Sequence, residues 1–154
     1  MTIHKGSASV QEQACRVLTN LASNNGVNKV NIAAAGGVEA VLAAMATHTG
    51  IAGVQEQACG ALTSLAVNFD NQVKIAEAGG VEAVLAAMAT HKGSADVQEQ
   101  ACGALANLAV NFDNQVKIAT AGGFEAVLAA MATHKESAGV QCPKLLKNLI
   151  RRKK

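Results

Sequence analysis

The sequence predicts an all-α solenoid made by stacking one three-helix module on copies of itself. Two observations carry most of that expectation. The valines that open a nearly invariant stretch, Val10, Val54, Val97 and Val140, recur after 44 residues and then every 43, a period in the range of two- and three-helix repeats. Segments 54–92 and 97–135 differ only at Thr63/Ala106, Ser64/Asn107, Glu77/Thr120 and Val81/Phe124. Composition agrees: of 154 residues three are Phe, one is Pro and none is Trp or Tyr. Such a chain suits closely packed helices in one domain better than a sheet.

Each module reads as a short, a medium and a long helix. The long third helix shows an apolar stripe at Val97, Ala101, Cys102, Leu105, Leu108 and Ala109. Ser9 with Glu12, and Asp96 with Glu99, have the spacing of capping boxes at its start. Asn24, Asn68 and Asn111 are the expected left-handed stops. The first helix is expected over 71–78 and 114–121, N-capped by Asp70 and Asp113. Gly36-Gly37, Gly79-Gly80 and Gly122-Gly123 make the corner into the second helix, which runs from Val81 to about Ala89 in its middle copy.

The ends differ from the interior. Residues 1–8 match 88–95, so the chain opens at the end of a second helix and leaves the apolar side of helix 9–23 uncovered. An extra residue near Gly26 and Val27 explains the longer first period. A new helix is expected from Pro143, with Lys144 and Lys147 set among Leu145, Leu146, Leu149 and Ile150 as a polar end cap. The division is then 1–25 (a partial repeat), 26–68, 69–111 and 112–154, the last carrying the cap and a basic tail.

The formal charge of +2 conceals an asymmetry: residues 144–154 carry six cations and no acid, so the rest sums to −4. The basic tail reads as a solvated helix end, a nuclear-import signal or an anionic contact. Without aromatic residues to stack on bases, nucleic acid is a poor partner. No apolar run is long enough for a membrane span. Cys15, Cys59 and Cys102 hold one register position on stacked helices, too far apart for disulfides, and read as small buried hydrophobes in a reducing, intracellular compartment, cytoplasmic or nuclear. His4, His48, His91 and His134 recur once per module, too widely spaced to share a metal, and read as exposed helix ends. No nucleophile–base pairing, phosphate loop or paired carboxylates points to an enzyme, a metal or a cofactor.

A short helix, Gly-Gly, a medium helix and a long helix with Ala-Leu-x-Asn-Leu-Ala, together with Asn-Gln-Val-Lys-Ile-Ala-x-Ala-Gly-Gly, resemble the armadillo repeat across the whole chain. The resemblance implies a right-handed α-solenoid whose third helices line a concave groove. In that family an Asn on each third helix binds the backbone of an extended peptide. The matching positions are Asn20, Ser64, Asn107 and, in the shortened last copy, Asn148. The Trp positions that wall the groove in peptide-binding members are occupied by Arg16, Gly60 and Gly103. The implied groove is shallow and polar, lined by Glu12, Glu56, Glu99, Gln13, Gln57 and Gln100.

The expected function is a protein-interaction scaffold holding an extended, neutral or mildly basic peptide on the third-helix face. The alternatives are a homodimer through the uncovered helix 9–23, and an engineered or excised armadillo fragment with no ligand of its own.

Overall fold

The computed structural model describes residues 1–141, which form nine α-helices and no strand. α1 (Ala8–Ala22) is a third helix standing alone. α2 (Gly26–Ala34), α3 (Gly37–Thr47) and α4 (Ala52–Leu65) make one module, and α5 (Phe69–Glu77), α6 (Gly80–Thr90) and α7 (Ala95–Leu108) the next. α8 (Phe112–Thr120) and α9 (Gly123–Thr133) follow. First helices stack on first, second on second and third on third, and the third-helix layer α1–α4–α7 is the most closely packed. The fold is an α-solenoid.

The two glycines of each corner do different work. Gly36, Gly79 and Gly122 take φ of 82°, 89° and 84°, the left-handed region that side chains avoid. Gly37, Gly80 and Gly123 need no positive φ. A Cβ on any of them would lie 2.4 Å from Cγ2 of Ile32, Ile75 or Ile118 and 2.7 Å from the same residue's carbonyl oxygen. The pair turns α2 into α3 through 68° and α8 into α9 through 72°.

The turned helices enclose Val38, Leu62, Leu65, Ile75, Val81, Leu105, Leu108 and Ile118, all fully buried. Each contributes about 1.5–3 kcal/mol of hydrophobic burial. Cys15, Cys59 and Cys102 lie in the same core.

Side-chain amides close the helix ends. Gln55 Nε2 donates to the carbonyls of Met45 and His48, both at 2.9 Å. Gln98 does the same to Met88 and His91 at 2.9 and 3.0 Å, and Gln141 to Met131 and His134 at 2.9 and 3.1 Å. Each ties a third helix to the end of the second helix before it. Asn71 Nδ2 reaches Leu65 O and, one module back, Lys29 O; Asn114 reaches Leu108 O and Gln72 O. Lys117 Nζ bonds Ala76 O at 2.5 Å and pairs with Glu82 at 3.3 Å. Lys74 makes the same two contacts with Ala33 O and Glu39.

Several local expectations are corrected. The third helices start two residues earlier than predicted, capped by Ser7 and Ser94, whose hydroxyls accept from Val10 N and Val97 N. Glu12 and Glu99 therefore sit too deep in their helices to close a capping box. The first helices also start earlier. Asn68 and Asn111 are their N-caps, accepting from Asn71 N at 3.0 Å and Asn114 N at 3.1 Å. Asp70 and Asp113 fall instead in the first turn, where the helix dipole favours a carboxylate.

Of the three expected left-handed stops only Asn24 has positive φ, at 55°. Asn68 and Asn111 are extended because capping requires it. The extra residue lies at Ser23–Asn24, not near Gly26 and Val27: α2 is nine residues long like α5 and α8. Residues 1–7 are not helical, yet Met1 O and His4 O accept from Gln11 Nε2 at 3.0 and 2.8 Å, as Met45 and His48 do from Gln55. The helix expected from Pro143, Asn148 and the basic tail lie outside the described residues.

Gln98→Ala leaves the buried Met88 carbonyl without its donor and the His91 carbonyl with the Ser94 N–H alone. It should lower unfolding free energy by about 1–3 kcal/mol, read from a shifted urea midpoint, whereas Gln13→Ala on the exposed side should change it little.

Candidate functional site: the third-helix face

Positions 12, 13, 16 and 20 of α1 share one helical face, as do their counterparts on α4 and α7. On α1, Gln13, Arg16 and Asn20 are exposed and Glu12 is half-buried. On α4, Glu56, Gln57 and Ser64 are half-buried and Gly60 is buried. On α7, Glu99 is exposed, with Gln100, Gly103 and Asn107 half-buried.

The asparagine positions are not equivalent. Asn107 Nδ2 donates to Thr63 O at 2.8 Å, closing a carbonyl in the last turn of α4. One of its N–H groups therefore belongs to the joint between modules. Ser64 is too short to make that bond to α1, where Thr19 O is met by Ser23 N at 2.9 Å and Ser23 Oγ at 2.8 Å. Asn20 is exposed on the first helix of the stack.

The wall positions are closed by packing. A Cβ at Gly60 would lie 3.3 Å from Gln100 Oε1, and one at Gly103 would lie 3.3 Å from Thr63 Cγ2. Thr63 Oγ1 crosses from Cys59 O at 2.8 Å to Gln100 O of α7 at 3.1 Å, binding the two helices at this level. Arg16, the exposed exception, donates to Gln13 Oε1.

Toward the helix N-termini the face is acidic. Glu12 lies over Gly53, whose Cβ would come within 2.5 Å of its carboxylate, and Glu99 lies over Gly139 in the same way. Asp96 takes this place beneath Glu56 and was not among the site residues expected from sequence; its alignment with Gly53 and Gly139 is the signal that could have found it. Burial, then repulsion from Asp96 and Glu12, hold the Glu56 carboxyl above its ordinary pKa, against the opposing bond from Gln57 Nε2 at 3.1 Å.

His4 is exposed as expected, but the other three histidines are more than exposed ends. His48, His91 and His134 cap second helices, and each Nε2 lies 2.7 Å from a carbonyl of the preceding module, on Lys5, Thr49 and Lys92 respectively. A carbonyl only accepts, so Nε2 carries the proton. Among the described residues no group of His, Cys, Asp and Glu is placed to hold a metal, and no single helix is long and apolar enough to cross a membrane. Burial pushes the Cys15 thiol up to about 11 and the Cys59 thiol up to about 12, so neither supplies thiolate near neutrality. The clefts of about 270 and 210 Å³ lie elsewhere, between second helices, where alanines such as Ala126 and Ala83 leave space beside Met88 and Met45.

A family described as LRRK2 ARM repeat matches residues 1–151. A solved structure, the crystal structure of an engineered protein, is similar at 30% identity with a TM-score of 0.81. The match covers 94% of this chain and 58% of that one, so this chain spans little more than half the length of that protein. No curated protein matches.

Because the folded chain holds the Glu56 proton more tightly than the unfolded one, this group favours folding below its ordinary pKa. That contribution is lost as pH rises through the raised value. Asp96→Asn should move the Glu56 titration, followed by carboxyl NMR, toward the ordinary value and weaken the fall in stability over that window.

Proposed function

Because the chain belongs to the family described as LRRK2 ARM repeat, we propose that it is a protein-interaction scaffold that holds an extended peptide against the third-helix face. The observation that carries this reading is the row of amide and hydroxyl side chains repeated in register across α1, α4 and α7: Gln13, Gln57 and Gln100 beside Asn20, Ser64 and Asn107. Stacked helices lie roughly 8–10 Å apart, and an extended strand advances about 10 Å in three residues. A peptide crossing the stack therefore meets one amide row about every third residue. Amides both donate and accept, so they hold backbone without reading side chains.

Sequence preference comes from Glu12, Glu56, Asp96 and Glu99, which favour a neutral to mildly basic peptide. The closed positions at Gly60 and Gly103 give large peptide side chains no deep pocket. Such a module acts by binding, without catalysis or a cofactor. Its buried thiols suit an intracellular, reducing setting.

A peptide array should yield ligands for the full chain. Asn20→Ala, which leaves the joints between modules intact, should weaken them about threefold to tenfold by fluorescence anisotropy. Asn107→Ala should weaken them too, with a small loss of stability from the freed Thr63 carbonyl. Ligands indifferent to both substitutions would refute the face, and an empty array would favour a scaffold with no ligand of its own.

A second reading rests on α1. Val10, Val17 and Leu21 are 38%, 52% and 50% exposed, while their counterparts Val54, Ala61, Leu65, Val97, Ala104 and Leu108 are all at 0%. An apolar face of this kind favours self-association. Light scattering should show mass rising with concentration, and Val17→Ser with Leu21→Ser should abolish the rise; a monomer throughout would dismiss the dimer.

A further inference from the structure

We propose a second docking surface, on the first-helix layer, for an amphipathic helix of another protein whose apolar stripe is flanked by Lys or Arg. Val67, Phe69 and Val73 of one module and Val110, Phe112 and Val116 of the next are all exposed, Phe69 and Phe112 at 60%. They run from the end of each third helix onto one side of α5 and α8. Between those helices lies a groove of about 210 Å³, with Val73, Ala76 and Glu77 on one side and Asp113 and Lys117 on the other.

Three features select the occupant. The exposed charges along the strip are carboxylates: Asp70, Glu77 and Asp113. The nearby ammonium groups are already committed, Lys74 to Ala33 O and Glu39, Lys117 to Ala76 O and Glu82. The local field therefore calls for cations.

Second, much of the amide capacity here is used within the fold. Asn68 and Asn111 cap α5 and α8, and Asn71 and Asn114 bond carbonyls. The strip thus offers little to the open backbone of an extended chain, whereas a helix satisfies its own backbone. Third, modules stack at roughly 8–10 Å and a helix advances about 10.5 Å in seven residues. Apolar residues at heptad spacing would therefore meet successive modules. This surface is independent of the third-helix face.

The test uses the full chain and a fluorescein-labelled synthetic helix with Leu at heptad a and d positions and Lys on both flanks. Versions with Lys changed to Glu, or Leu to Ser, serve as controls. Phe69→Ser with Val73→Ser should weaken the Leu/Lys helix at least about tenfold. Asp70→Asn with Asp113→Asn should weaken it about threefold, an effect that fades in high salt. Asn20→Ala should leave it unchanged.

These side chains are exposed, so circular dichroism should show all variants folded. The surface is overturned if the Leu/Lys helix does not bind, if it ignores Phe69→Ser with Val73→Ser, or if the Glu version binds as well. Retention on phosphatidylcholine–phosphatidylserine vesicles through these residues, in place of the peptide, would overturn it in favour of a membrane contact.

Discussion

Closing the helix ends is the constraint from which the rest follows. Every α-helix leaves the carbonyls of its last turn without backbone partners, and a chain of helices only 9 to 15 residues long has many such turns. Here side chains at fixed register join the backbone N–H groups of the following turn as donors. Gln55 and Gln98 reach back to second-helix ends, Asn71 and Asn114 to third-helix ends, and His91 and His134 to the preceding module. Each bond is modest, but a buried carbonyl left open costs about 1–3 kcal/mol. The stack is therefore specified by polar fit as much as by its aliphatic core. This explains how a core made largely of Ala, Val and Leu, with no Trp or Tyr, settles on one arrangement.

Architecture was readable because periodicity is a property of the sequence itself. The 43-residue return of Val97 to Val140, the Gly-Gly pairs and the apolar spacing gave the helices, their order and the solenoid. Boundaries were harder, since Asn68 and Asp70 are both good capping residues and only the path of the backbone decides between them. The polar joints were invisible for another reason. Gln98 and His91 look like surface residues in a linear reading, and their carbonyl partners come from segments brought close only by folding. Asn107 could be matched to a motif, but not its bond to Thr63, which links residues 44 apart in sequence.

Two kinds of exposed chemistry result. The third-helix layer shows amides and carboxylates, with its glycines holding the helices too close for deep pockets. The first-helix layer shows valine and phenylalanine between carboxylates, with its amides turned inward. Surfaces so unlike need not compete, so the two proposed partners, an extended segment and a helix, would bind on separate sides. Both proposed contacts would rest on charge and backbone geometry more than on shaped pockets.

The supernumerary residue at Ser23–Asn24 makes the modules unequal as spare parts. Inner units joined at a 43-residue pitch carry matching halves of the same coupling, so a further copy inserted in frame would find its neighbours already shaped for it. The opening unit is geared differently, because Asn24 in its left-handed turn sets the 44-residue first step. An array of this design can lengthen from its middle by whole steps of one pitch, whereas the step after α1 keeps a length of its own.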